Sequence, residues 1–278
     1  MAFKDILKEK IAIENSELLP NGFQNIGDII ILNLDPKILK NKDEIGKAIL
    51  KIFPRIRTVC VRKGGIKGKY RKPQLEVIAG EKNTETIHLE NGIYYKLDIS
   101  KIMFAKGNIN EKKRIAFQVK KNEVIVDMFA GIGYFTLGMA KNAWKVYSIE
   151  LNPVAYKYLK ENILLNKLKN VEVIKGDCIK EIGKLVENGI KADRVMMGYL
   201  PPPKNYLKYA FKIINKKGVI HYETLVNIND KAEDIKKQFN EIKKIAEKES
   251  LKVKLLRAVK VKGYSPGVEH FTFDMGII

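Results

Sequence analysis

Three places in the chain carry residues able to do chemistry together. The first is Asp127-Met128-Phe129-Ala130-Gly131-Ile132-Gly133, the second is Glu150, and the third is Gly176-Asp177-Cys178. Gly131 and Gly133 let the backbone turn tightly and approach a ligand closely. The third glycine of a dinucleotide fingerprint is absent, and a lone glycine pair also suits an ordinary strand-to-helix turn. Glu150 stands 17 residues beyond Gly133 and can accept from both hydroxyls of a ribose. Asp177 can accept from an adenine amino group while the backbone N–H of Cys178 donates to the ring. Phe129 is grouped with these ligand residues. Asp127 is read as the member that orders the loop. The pattern points to a nucleotide-like ligand.

Such residues need strands and helices to converge them. EVIVDMF at 123–129 reads as a buried strand, and a helix begins in YFTLGMAKN at 134–142. KVYSIEL at 145–151 and NVEVIKGD at 170–177 are further strands, separated by a helix from Pro153. A helix at about 178–187 leads to ADRVMMGYL, and YLKYAFKII leads to GVIHYETL at 218–225. An amphipathic helix over 231–249 carries Ile235, Phe239, Ile242 and Ala246 on one stripe. Two final strands joined by a long turn complete the chain. This order predicts an α/β, doubly wound, Rossmann-like domain over 113–278 with an antiparallel hairpin at its edge. The three ligand segments then fall at strand ends on one sheet edge, where open α/β sheets bind ligands.

Residues 1–112 predict a smaller α+β domain. DIIILNL at 28–34 is a strand, and 43–53 is an amphipathic helix with Ile45, Ala48, Ile49 and Ile52 on one face. RTVCVRK, QLEVIAG, TIHLENG and IYYKLDI are short strand-like runs between turn residues.

Charge says more about partners than about fold. The chain has 52 Lys and Arg against 32 Asp and Glu, a formal charge of +20, which attracts polyanions. The excess is concentrated: Lys51, Arg55, Arg57, Arg62, Lys63, Lys67, Lys69, Arg71 and Lys72 are nine cations with no acid among them. Gly64, Gly65 and Gly68 make part of this run a mobile loop, and with Tyr70 it suits a phosphate backbone. Lys63, Lys67, Lys69 and Arg71 are its candidate contacts. A solvated Lys-rich surface is the plainer reading. No apolar stretch long enough to span a bilayer occurs, and the charged N-terminus has no signal core, so a cytosolic location is expected. Cys60 and Cys178 are too few for a four-ligand metal site or a disulfide framework, and no metal is expected. No Walker lysine loop, GxSxG elbow or HExxH helix is present, which leaves hydrolase and phosphotransferase readings without support.

The glycine loop with Glu150 and Asp177 resembles the class I S-adenosylmethionine-dependent transferases. Phe104-Ala105-Lys106-Gly107-Asn108 with Glu111 and Arg114, then DMFAGIGYFT, GYLPPP at 198–203, IHYE at 220–223 and KGYSPGVEH at 262–270, is similar to the archaeal aminocarboxypropyltransferases of tRNA wybutosine synthesis. The similarity runs from about residue 100 to the end. The related tRNA guanine-37 N1-methyltransferases carry Pro-Arg where this chain has Lys106-Gly107, and an Asn where it has Gly198. An Asn can orient a ring nitrogen by hydrogen bonding and Gly198 cannot, which argues against simple N1-methylation.

The resemblance implies S-adenosylmethionine as co-substrate and tRNA(Phe) as partner. It implies transfer of the 3-amino-3-carboxypropyl group to a ring carbon of 4-demethylwyosine at position 37, with release of 5′-methylthioadenosine. It places the methionine tail near Ala105 and Lys112, where relatives have Ser and Arg; a surface lysine beside Lys113 and Arg114 is the alternative for Lys112. Lys106, Tyr199 and His221 are candidate target contacts. Tyr199 either stacks on a flipped base or covers the sheet edge, and His221 either lines the target pocket or packs within its strand. Trp144 is read as core. No general base is evident. A tRNA methyltransferase and a non-enzymatic RNA-binding protein remain the competing readings.

Overall fold

The structure, a computed structural model, describes residues 2–68 and 70–278, with the side chain of Lys106 outside the description. The chain divides into two compact units, one ending at Lys106 and the other spanning Gly107–Ile278. A division after residue 112 would cut the helix Ile109–Gln118, which is one continuous element.

The first unit runs through α1 (Phe3–Lys10), β1 (Gln24–Ile26), β2 (Ile29–Leu32), α2 (Lys42–Ile52), β3 (Thr58–Lys67), β4 (Lys72–Gly80), β5 (Glu85–Glu90) and β6 (Ile93–Asp98). Its main sheet has the order β1-β2-β3-β4, and β5 pairs with β6 separately. β2 and β3 are parallel, so α2 is the crossover between them. α2 buries Ile45, Ala48 and Ile49 against Leu7, Ile30, Leu32, Val59 and Ile78.

The basic run 51–72 is not the loop that its glycines suggest. β3 continues as strand through Gly64 and Gly65 and pairs antiparallel with β4, from Thr58↔Gly80 to Lys67↔Lys72. Two irregularities in register, at Arg62/Gly64 and Gly64/Lys67, absorb the glycines. Gly68 (φ +70°) and Arg71 (φ +52°) supply the left-handed backbone at the turn. Lys69 lies outside the described residues.

The second unit contains α3 (Ile109–Gln118), β7 (Val124–Asp127), α4 (Thr136–Ala140), β8 (Lys145–Glu150), α5 (Pro153–Leu165), β9 (Val171–Lys175), α6 (Cys178–Glu187), β10 (Ala192–Met197), α7 (Leu207–Ile213), β11 (Ile214–Asn227), α8 (Lys231–Lys248), β12 (Val253–Ser265) and β13 (Val268–Ile277). The seven strands are ordered β12-β13-β11-β10-β7-β8-β9. The five strands from β11 to β9 are parallel, and β13 and β12 add an antiparallel edge. The strand order reverses between β7 and β10, and a doubly wound sheet opens its ligand crevice at such a point.

The closing connection is shorter than expected: only Pro266 and Gly267 separate β12 from β13, with Gly267 at φ +76°. Trp144 is 71% exposed and is not core, because it sits in the tight connection ahead of β8 rather than in the strand. No described helix is long and apolar enough to cross a membrane.

Candidate nucleotide site and basic hairpin

The carboxyl ends of β7, β8 and β9 bring the three ligand segments to one edge. After β7 the chain folds back sharply, and Ala130 N donates to Ile149 O at 3.0 Å, tying the loop to β8. Gly131 (φ +58°) and Gly133 (φ +100°) are required on two counts. A Cβ on Gly131 would stand 2.6 Å from the Tyr134 ring, and one on Gly133 would stand 2.7 Å from Leu137.

Glu150 completes this loop. Its Oε2 accepts from Gly131 N at 2.7 Å and its Oε1 from Asn152 N at 2.6 Å. Burial raises its pKa, against the lowering effect of those amides. Each oxygen keeps a lone pair, so the carboxylate can still accept from a vicinal diol. Asp177 caps α6, with Oδ1 accepting from Ile179 N at 2.9 Å. The Cys178 N–H is in the first turn of α6, where amides have no partner within the helix. Its thiol is buried and pushed up to about 12, so it stays protonated.

Asp127 touches the loop and not solvent. It is fully buried, Oδ2 accepts from Thr136 Oγ1 at 2.7 Å, and Oδ1 accepts from Phe129 N at 3.3 Å. Burial lifts its carboxyl to about 7. Its side chain therefore orders the turn. Phe129 joins a cluster with Tyr199 and Tyr206, each 5.2 Å away between ring centroids. Tyr206 was not singled out from the sequence; its place in the YLKY run after three prolines was the available sign. Tyr199 keeps 36% of its surface exposed beside this cluster.

Lys112 is not a surface lysine. It is 6% exposed, with Nζ 5.8 Å from the centroid of Tyr134, the ring that covers Gly131. A buried cation thus lies beside the glycine loop. The strand-end acids, the loop that admits no Cβ and this cation fit an adenine, a ribose and a carboxylate. Ala105 is half-buried at the end of the first unit.

His221 does not line an open pocket. It has no exposed surface, and its Nδ1 lies 2.6 Å from Asp274 Oδ1. Its Nε2 lies 2.5 Å from Arg194 Nη1. A guanidinium only donates, so Nε2 must accept and Nδ1–H donates to Asp274. The ring is neutral, in keeping with a pKa lowered by burial despite the Asp274 bond. Asp274 also accepts from Arg114, at 2.6 and 3.0 Å, and Arg114 forks onto Glu111. Arg194 forks onto Glu123 at 2.8 and 3.0 Å. This buried chain of charges ties α3, β10, β11 and β13 together.

On the β3–β4 hairpin of the first unit, Lys63, Lys67 and Lys72 are exposed with Tyr70 and Ile66. Arg57 is committed inward, to Asp28 and Glu81 and to the carbonyls of Asn83 and Glu85. Arg62 donates to Gln24 at 2.6 Å. Arg71 is half-buried, with Nη2 3.9 Å from Met103 Sδ. The hairpin's outward charge is therefore mainly lysine.

Comparison with known proteins agrees with this architecture. The TYW2 N-terminal domain matches residues 3–84, and the TRM5/TYW2 methyltransferase domain matches residues 86–256. The tRNA(Phe) (4-demethylwyosine(37)-C(7)) aminocarboxypropyltransferase of Methanocaldococcus jannaschii is 41% identical, over 91% of this chain and 96% of its own length. The tRNA (guanine(37)-N(1))-methyltransferase Trm5b of Pyrococcus abyssi is 36% identical, over 95% of this chain and 77% of its own. The crystal structure of P. horikoshii TYW2 in complex with MeSAdo superposes with a TM-score of 0.81 at 32% identity, covering 99% of this chain and 97% of that one. With both domain matches in sequence order and this strand order beneath them, the chain belongs to the TRM5/TYW2 family.

Proposed function

We propose that the protein transfers the 3-amino-3-carboxypropyl group of S-adenosylmethionine to a ring carbon of 4-demethylwyosine at position 37 of tRNA(Phe), releasing 5′-methylthioadenosine. The observation that carries this reading is the TYW2 N-terminal domain match ahead of the shared TRM5/TYW2 catalytic domain, with 41% identity to an aminocarboxypropyltransferase over nearly the whole chain. S-adenosylmethionine supplies three electrophilic carbons around one sulfonium, so the protein selects the product by positioning. In this assignment Glu150 accepts from the ribose hydroxyls, and Asp177 with the Cys178 N–H reads the adenine. Lys112 pairs with the carboxylate of the tail as a point charge. Phe129 and Tyr199 supply apolar cover.

The methyltransferase reading has its own support in the 36% identity to a Trm5b over 95% of the chain. Gly198 weighs against it. A Cβ there would stand 2.8 Å from the Phe135 ring, so the position packs as glycine and bears no orienting amide. Incubation with tRNA and cofactor labelled separately on the methyl and carboxyl carbons decides the matter. Carboxyl label is expected in the tRNA and methyl label is not; the reverse would establish the methyltransferase.

Basic side chains on the β3–β4 hairpin are assigned to the tRNA backbone. Replacing Lys63, Lys67 and Lys72 by Ala should weaken binding to all tRNAs alike. It should also flatten the salt dependence, by roughly one counterion for every phosphate that no longer meets a lysine. Cofactor affinity should not change. Filter-binding titrations at several salt concentrations measure both, and wild-type affinity with wild-type slope would reduce the hairpin to plain surface.

A further inference from the structure

The β11–β13 pair carries a ladder of polar side chains on one face, and its two halves differ. His221 and Asp274 oppose each other in register and form the inner rung. Their polar atoms are bound to one another and to Arg194 and Arg114. The next rung toward the carboxyl end of β11 pairs Glu223 with Thr272, and His270 lies two residues further along β13. Here Nε2 of His270 lies 3.3 Å from Oε2 of Glu223, while Glu223 Oε1, Thr272 Oγ1 and both imidazole nitrogens of His270 have no hydrogen-bond partner among the described residues. All three residues are at most 2% exposed. Leaving buried polar groups unmet costs about 1–3 kcal/mol each, so such a cluster calls for a partner that the described residues do not supply.

Its place in the fold says which partner. Tyr222 is level with Met197 across β10 and β11, so Glu223 is level with Gly198, the first residue past the β10 strand end. That edge is the one where Asp127, Glu150 and Lys175 end β7, β8 and β9. On the other side, a Cβ on Gly107, just ahead of α3, would stand 2.5 Å from Lys262, and Lys262 pairs with His270. Most other carboxylates at this edge are engaged. Asp274 and Glu111 hold Arg114, Glu150 holds two amides, and Asp127 holds Thr136 and Phe129. Glu223 has an oxygen to offer.

We propose that Glu223, steadied by His270 and Thr272, accepts a hydrogen bond from a ring N–H of the target base and so selects and orients that base. This rests on the tRNA-modification reading above. A site built around buried hydrogen-bonding groups rejects substrates that cannot satisfy them far more strongly than an apolar pocket does. A carboxylate demands a donor at this point. The Asn of the guanine methyltransferases would stand one strand away, at position 198, so the two enzyme types would read their bases from adjacent strand ends.

The test uses the full chain and two forms of tRNA(Phe), one with the tricyclic base at position 37 and one with guanosine there. Wild-type protein should release methylthioadenosine with the first form, which tests the function itself. It should also bind that form at least tenfold more tightly than the second. Glu223→Gln should lose most of this preference and at least thirtyfold in kcat/KM, while its affinity for the guanosine form and for cofactor stays within about twofold. Should Glu223→Gln not fold, Thr272→Val takes its place, with the same direction expected. An active wild type whose variants keep the preference, or weaken on both tRNAs alike, overturns the proposal and makes the cluster structural.

Discussion

Replacing Asp274 by Ala is expected to lower the stability of the second unit by about 3–5 kcal/mol, the cost of removing one member of a buried charge pair. Asp274 is 2% exposed and accepts from Arg114 twice and from His221 once. Its removal leaves a half-buried guanidinium with Glu111 alone and a buried imidazole N–H with no acceptor. For a unit of this size the melting temperature should fall by roughly 6–20 °C. The effect is pH-dependent in a definite sense. Burial alone would raise the Asp274 pKa, but His221 and Arg114 outweigh it and hold the carboxyl well below the usual range. A depressed carboxylate stabilises the fold above its unfolded pKa of about 3.9, and the contribution is lost as pH falls through the folded value. The gap between wild type and variant should therefore be full at pH 6–8 and shrink progressively as pH falls below about 4. Thermal melts across that range measure it, and a variant as stable as wild type at pH 7 would show that the network contributes nothing net.

The second large effect falls on cofactor affinity. Glu150→Ala removes a carboxylate assigned to the ribose hydroxyls and, at once, the acceptor of Gly131 N and Asn152 N. A buried hydrogen bond to a charged group is worth about 1.5–3 kcal/mol, so affinity should fall tenfold or more. The loss should exceed the ribose bonds alone, because the glycine loop is released from β8. Calorimetric titration with S-adenosylmethionine reads the constant directly. Unchanged affinity would take Glu150 out of the site.

Both predictions concern residues whose visibility in the sequence differed. Glu150 was legible because a strand of period two ends on an acid at a fixed distance from Gly133. The network around Asp274 was not. Nothing local to His221 announces a partner 53 residues further on. A lone strand histidine looks the same whether it faces a ligand or an aspartate. Lys112 was ambiguous for a related reason: it stands in a Lys-Lys-Arg run that also suits a surface lysine, and only the packing of α3 beside Tyr134 buries it. The basic hairpin misled through composition. Glycine and lysine disfavour strands, but β4 provides a partner ladder that overrides local preference. The alternation of strands and helices beyond residue 113 was readable, since long periodic segments leave little choice of type.

The strand order has a consequence for how the chain is made. In the first unit α2 and two hairpin turns link neighbours that follow one another along the chain, and β4 completes the main sheet by residue 80. In the second, Ile125 of β7 pairs with Arg194 of β10. The central strand thus waits for nearly seventy more residues to be synthesised before one of its flanks is covered. β11 waits in turn for β13, which begins at Val268. Non-local pairing is slow because loop entropy is lost before contacts form. On the ribosome the first unit closes early, while the second holds an apolar sheet edge open until β13 has been made.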